Sequence, residues 1–150
     1  QARAGRRQGD SRRGFGVKIV GRFLMSKSFR DLKVYQLAYQ LAMEIFHLSK
    51  SFPKEERYSL TDQIRRSSRS VCANIAEGYR KKRYPKHFRL KITVADGEAS
   101  ETTVHLDFAK DCSYLSSEDH HSLTKRYEEV GRMLGSMVNH PERFLPRSLR

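Results

Sequence analysis

Residues 58–79 of this 150-residue chain read YSLTDQIRRSSRSVCANIAEGY. Apolar side chains recur here with the spacing of one helical face, at Leu60, Ile64, Val71 and Ile75. Ser68 falls on the same face, where a small side chain lets a neighbouring helix approach closely. We therefore expect an amphipathic helix over about residues 58–79, with one buried stripe.

A helix is also expected before this segment, from Asp31, a suitable N-cap residue, to about Lys50. Its apolar stripe consists of Val34, Leu37, Leu41, Ile45 and Leu48. A second apolar stripe lies about 100° around the same helix and contains Tyr35, Tyr39, Ala42 and Phe46. Because this apolar surface is wider than one bundle core usually requires, we expect self-association through the side that carries Tyr35, Tyr39 and Phe46.

Two more helices follow the basic connection at residues 80–84. Pro85 suits the first turn of a third helix that extends to about Leu115, and Ser116 or Ser117 then caps a fourth that ends at Pro141. Their buried stripes are expected at Phe88, Ile92, Ala95, Ala99, Thr102, Leu106 and Ala109, then Leu123, Tyr127, Val130, Leu134 and Met137. Four amphipathic helices with short loops predict an all-α fold, an antiparallel up-down-up-down four-helix bundle.

The bundle domain is expected to occupy residues 25–145. Residues 1–24 are rich in Gly and Arg and carry a net charge of +6, which predicts a disordered basic extension before an internal start at Met25. The alternatives are a transit peptide and a nucleic-acid-binding arm, but the segment lacks a clear amphipathic repeat. Residues 146–150 form a basic tail. No apolar run reaches the roughly 18 residues of a membrane span, so we expect a cytoplasmic protein without a membrane partner.

Two cysteines, Cys72 and Cys112, fall in separate helical segments without C-x-x-C spacing. This spacing indicates neither a zinc site nor a redox pair, and both residues are expected to be buried thiols. The alternative is a disulfide between them, since distant residues can be close in the fold.

Charge is distributed unevenly along the chain, which has 30 Lys and Arg against 17 Asp and Glu, a net charge of +13. Between Arg65 and Lys91 there are ten basic side chains and one acidic one, Glu77, whereas residues 92–142 carry a net charge of −6.

The candidate nucleic-acid-binding residues are Arg65, Arg66, Arg69, Arg80, Lys81, Lys82, Arg83, Lys86 and Arg89. Clustered cations suit a phosphate backbone, and Tyr79, Tyr84 and Phe88 add stacking surfaces for unpaired bases. The alternative is a solvated basic face, or ion pairs with the two acidic helices that follow.

Asn74 and Glu77 lie three positions apart on neighbouring parts of one helical face. Two interpretations stay open for them: they organise a subunit contact or polar ring, or they make local hydrogen bonds.

Motifs for catalysis are absent: the chain has no Gly-rich phosphate loop, no nucleophile elbow and no H-E-x-x-H. Glu44 and His47 form one Glu-x-x-His pair of the kind that holds iron in some bundles. The third helix does not supply a second pair, because Glu101 and His105 are four residues apart. We expect no enzymatic activity, no metal and no cofactor.

Three sequence blocks in order carry a family resemblance: FRDLKVY at 29–35, FPKEERYSLTDQIRR at 52–66 and ANIAEGY at 73–79. They resemble the proteins encoded in intervening sequences of 23S ribosomal RNA genes, over about residues 29–138. The resemblance implies a bacterial four-helix bundle that forms a ring-shaped homopentamer without enzymatic activity. It also implies a relative, the accessory protein of diversity-generating retroelements, whose partners are nucleic acid and a reverse transcriptase.

Overall fold

The computed structural model describes residues 28–144, which fold into four α-helices joined by short connections. The predicted basic extension at residues 1–24, the start at Met25 and the basic tail at residues 146–150 lie outside the described residues. The helices are α1 (Lys33–Ser49), α2 (Leu60–Arg80), α3 (Pro85–Asp111) and α4 (Ser117–Asn139). Single 3₁₀ turns occur at Phe29–Asp31, Lys54–Glu56 and Pro141–Arg143. None of residues 28–144 forms a strand, so the predicted all-α class with four helices is confirmed.

Each helix packs against two others: α2 and α4 both contact α1 and α3. Two contacts give the relative direction of α2 and α3. The Thr102 hydroxyl lies 2.8 Å from that of Ser67, while Gly78, further along α2, packs against Ile92, which comes earlier in α3. Since the contacts run in opposite sequence order, α2 and α3 are antiparallel.

The buried stripes agree closely with the helical periodicity. Every position predicted for the stripes of α2, α3 and α4 is buried, including the small or polar residues Ser68 and Thr102. In α1, Val34, Leu41 and Ile45 are buried, but Leu37 and Leu48 are half-buried at the edge of the core. The apolar residues of all four helices therefore form one core.

Helix ends differ from the prediction in two places. Asp31 does not cap α1, because its carboxylate accepts the Ser28 N–H (3.1 Å) and closes the preceding 3₁₀ turn; the N-cap is Leu32. The third helix stops at Asp111 rather than near Leu115. Ser113 has a positive φ of 62°, and the N–H of Tyr114 donates to the Ala109 carbonyl (2.8 Å), the pattern of a Schellman motif that ends a helix.

The start of α4 and one of the two cysteines follow the prediction. The Ser116 hydroxyl accepts the N–H of Asp119 (3.0 Å), which confirms Ser116 as the cap. Both cysteines are free. Cys72 is buried, and burial raises its pKa to about 11, so this thiol stays protonated at neutral pH. Cys112 is exposed beyond the end of α3, so its predicted burial is wrong.

Candidate nucleic-acid interface

Six of the nine predicted cations lie together where α2 ends and α3 begins. We call this cluster the basic turn; it consists of Arg80, Lys81, Lys82, Arg83, Lys86 and Arg89. Five of these side chains are exposed, and Lys82 is half-buried with its Nζ 4.1 Å from the centroid of the Tyr79 ring. Backbone hydrogen bonds order the connection: the N–H of Tyr84 donates to the Lys81 carbonyl (2.8 Å), and that of Phe88 to the Tyr84 carbonyl (2.9 Å).

Arg65 and Arg69 lie elsewhere, near the opposite end of α2. Arg65 precedes Arg80 by fifteen residues, which separates the two by about 22 Å along a helix. Both guanidinium groups lie over the Phe46 ring of α1, at 5.0 and 5.8 Å from its centroid, and the Arg65 Nε donates to the Ser49 hydroxyl (2.8 Å). Each such cation–π contact contributes about 0.5–1 kcal/mol, so these arginines help to join α1 to α2.

Arg66 faces a polar groove of about 450 Å³ between α2 and α3. The groove is lined by Gln63, Arg66, Ser67, Ser70, Glu98 and Glu101. Partial burial raises the pKa of Glu98, a hydrogen bond to Glu101 and the negative charge of that residue raise it further, and Arg66 opposes the shift. Arg66 therefore has acidic neighbours, unlike the basic turn.

The three aromatic residues proposed for stacking differ in exposure. Tyr79 is buried, and Phe88 is fully buried with its ring stacked against Phe144 at a centroid distance of 6.3 Å. Tyr84 is 60% exposed, and its ring meets that of His87 edge to face at 6.2 Å. Of the three, Tyr84 is the one whose ring is open to solvent.

The predicted interface residues of α1 also separate by exposure. Tyr39 is exposed, whereas Tyr35 is half-buried between the rings of Phe29 (5.0 Å) and Tyr39 (6.1 Å). Phe46 is half-buried beneath Arg65, Arg69 and Lys50, whose Nζ lies 4.7 Å from the Phe46 centroid. The cations of its own chain thus cover part of the surface that Phe46 was expected to offer to another subunit.

Asn74 and Glu77 both have partners within the chain. The Asn74 side-chain amide donates to the Ser70 carbonyl (2.9 Å) and lies 3.1 Å from the Ser70 hydroxyl. Glu77 forms an ion pair with Lys91 of α3 at 2.8 Å. These contacts favour the local interpretation, and a role in a subunit contact stays a prediction.

A row of exposed apolar side chains on α3 was not predicted. We call it the α3 outer stripe; it consists of Leu90, Val94, Val104 and Phe108, all exposed. These positions follow one another at i, i+4, i+14 and i+18, which keeps them on one side of the helix across five turns. The spacing was visible in the sequence, as it was for the second stripe of α1.

Glu44 of the Glu44–His47 pair takes part in an ion pair between helices. The Arg126 guanidinium of α4 makes a two-pronged ion pair with Glu44, with Nη2 2.9 Å from Oε1, so this carboxylate joins α1 to α4. Within residues 28–144, no group of three or more His, Cys, Asp or Glu side chains is arranged to hold a metal ion. No helix in the same range is long and apolar enough to cross a membrane.

These features define an all-α, four-helix protein with a cationic connection between α2 and α3. The chain belongs to the 23S rRNA-intervening sequence protein family, which it matches over residues 30–136, and the resemblance is thereby confirmed. It is also similar to a protein of unknown function from the S23 ribosomal protein family of Bacteroides thetaiotaomicron. That crystal structure shares 27% sequence identity and a TM-score of 0.64, over 71% of this chain and 95% of the other. Among curated proteins, none matches the chain.

Proposed function

We propose that this chain is a non-enzymatic, homo-oligomeric four-helix bundle that binds nucleic acid through the basic turn. The observation that carries the proposal is the concentration of six cations within residues 80–89, five of them exposed. Glu77, the acid nearest in sequence, is paired with Lys91 outside this cluster. The positive charge is therefore available to a polyanion.

Binding of this kind contributes affinity rather than sequence preference. Cations that contact phosphates release condensed counterions, so the logarithm of the binding constant falls linearly with the logarithm of salt concentration. Six phosphate contacts predict a slope of about −4 to −5. Such a protein fits a cytoplasmic adaptor for a nucleic-acid-processing partner, of which a reverse transcriptase is the example that the resemblance implies.

Assembly completes the proposal: an up-down-up-down bundle forms a ring, with five copies as the expected number. Exposed apolar residues on two helices support it, Tyr39 and Met43 of α1 and the α3 outer stripe. Because α1 and α3 both pack between α2 and α4, the two apolar surfaces face different directions. Contact between α1 of one copy and α3 of the next is then head-to-tail, and a closed ring repeats the basic turn around its axis.

The salt dependence of binding tests the nucleic-acid proposal. The probes are a labelled RNA hairpin and a DNA duplex, titrated with the full chain over a range of salt concentrations. Replacing Arg80, Arg83 and Lys86 with Gln should weaken binding and reduce the slope by about one per charge removed. The matched control replaces three exposed cations elsewhere, Lys110, Lys125 and Arg132, and should change the slope much less.

Absence of binding to both probes at low salt would contradict the proposal. It would favour a second candidate, a structural oligomer or protein-interaction scaffold. The contacts of Arg65 and Arg69 with Phe46 support that candidate, because they use positive charge for packing within the chain. The exposed α3 outer stripe also supports it, because it offers apolar surface to a protein partner.

A further inference from the structure

Two tyrosines of this chain are highly exposed and differ in the charge around them. Tyr58 is 89% exposed, and residues 54–57 before it carry two acids and two bases, a local net charge of zero. Tyr84 is 60% exposed, and Arg83 and Lys86 lie within two residues of it. An exposed aromatic ring in a cationic neighbourhood combines the two features of single-strand binding surfaces, a stacking platform and contacts to phosphate.

The local structure holds Tyr84 in place independently of its ring. Its N–H donates to the Lys81 carbonyl (2.8 Å) and its carbonyl accepts the N–H of Phe88 (2.9 Å), so both main-chain groups are bonded. The connection that contains Tyr84 runs from Lys81 to Pro85, the first residue of α3, so it is short and ordered. The ring meets His87 edge to face, an arrangement that orients it while leaving more than half of the residue in solvent.

The exposed Tyr84 ring should distinguish duplex nucleic acid from unpaired bases. In a duplex each base is already stacked between its neighbours, and an exposed tyrosine gains little from approaching it. An unpaired base has a free face, and stacking on an aromatic side chain is tolerant of sequence because every base has such a face. Cations alone would prefer neither class strongly.

We infer that the basic turn binds unpaired nucleotides, with Tyr84 stacking on a base while Arg83 and Lys86 contact the adjoining phosphates. This inference rests on the proposed function and adds a ligand class to it, single-stranded nucleic acid. RNA and DNA share the required chemistry, a free base face beside a phosphodiester. The structure also excludes Tyr79 and Phe88 from this task, because both rings are buried.

Fluorescence anisotropy with the full chain at low salt provides the test. The probes are labelled 12-nucleotide oligouridylate, 12-nucleotide oligothymidylate and a 12-base-pair RNA duplex. Tyr84→Ala should weaken binding to both single strands about tenfold and change duplex binding less than twofold. Tyr84→Phe, which retains the ring, should bind within twofold of the parent. Tyr58→Ala, the matched control, should leave all affinities unchanged.

Tyr84→Leu keeps apolar bulk before α3 without an aromatic face and should show the same selective loss of single-strand binding. It replaces Tyr84→Ala as the test if the alanine variant does not fold. Equal single-strand affinity in the parent and both variants, with a steep salt dependence retained, would overturn the inference and leave the proposed function standing. An equal loss for duplex and single strands would also overturn it, since that result indicates a general effect on the turn. If no probe binds the parent chain, the inference and the proposed function both fail.

Discussion

Two glycines inside helices have opposite environments. A Cβ on Gly78 of α2 would lie 2.9 Å from the Ile92 Cδ1 and 3.2 Å from the Lys91 Cβ of α3. Ile92 is fully buried, so it has little room to move. A Cβ on Gly97 of α3 would meet no atom within 4 Å. Gly78 is therefore required by the packing of α2 on α3. Gly97 lies on an exposed helix surface, where glycine lowers the stability of the helix without any packing requirement.

The same substitution, glycine to alanine, should change the free energy of unfolding in opposite directions at Gly78 and Gly97. Gly78→Ala should lower the free energy of unfolding by about 1 kcal/mol, because overpacking outweighs the gain in helix propensity. Gly97→Ala should raise it by about 0.5–1 kcal/mol. Urea denaturation followed by circular dichroism measures both. A stabilising Gly78→Ala would mean that α2 and α3 are less closely packed than the contacts with Ile92 and Lys91 indicate.

Between elements, the α2–α3 pair combines tight apolar packing with one polar groove. Ser67 and Thr102 share a buried hydrogen bond of 2.8 Å, and next to them Glu98 and Glu101 face Arg66. Because the folded-state pKa of Glu98 is raised above its ordinary value of 4.5, the folded state favours the protonated carboxyl. Ionised Glu98 thus opposes folding at neutral pH, and this effect decreases as pH falls through the folded-state pKa.

Glu98→Gln should therefore stabilise the protein at pH 7, by roughly 0.2–0.5 kcal/mol, the size of a like-charge pair on a helix. The gain should disappear well below pH 4.5, where the parent carboxyl is protonated in both the folded and the unfolded state. Urea denaturation at the two pH values measures the difference. Glu129→Gln controls for removal of one exposed carboxylate. A gain that persists in acid, or a loss at pH 7, would contradict this account of the groove.

Across the whole molecule, positive and negative charges lie in different regions, and a set of apolar side chains is exposed. The basic turn lies at one end of the α2–α3 pair, while residues 92–142 carry a net charge of −6. Leu90, Val94, Val104 and Phe108 remain exposed on α3 although the core of the chain is complete without them. Exposed apolar side chains grouped on one side of a helix in this way are typical of an interaction surface.

The ring proposal predicts a mass of five times the 17.5 kDa chain at micromolar concentration and physiological salt. Replacing Leu90 and Phe108 with Glu should reduce the mass toward that of one chain, because buried charges at the contact are costly. Tyr58→Glu introduces a charge at another exposed aromatic residue and should keep the parent mass. Multi-angle light scattering measures all three. A monomeric mass for the parent chain would contradict the ring and the multivalent binding built on it.

Helix identity and the buried faces followed from the sequence by itself. The stripes of α2, α3 and α4 were predictable because a period of 3.6 residues places particular side chains on one face, and the Ser116 cap depends on neighbouring residues alone. The end of α3 was predicted less well, since Ser113 adopts a left-handed conformation that the sequence pattern does not indicate.

The division of the nine cations was decided by tertiary structure. Arg65 and Arg69 contact Phe46 of α1. Arg66 lies beside Glu98 and Glu101 of α3. The basic turn lies away from Phe46 and from these two acids. The same holds for the aromatic residues, since Phe144 covers Phe88 while Tyr84 remains exposed. Periodicity tells which way a side chain points along its own helix. What lies across from it depends on residues distant in sequence, and only their packing determines which charges and rings can reach a ligand.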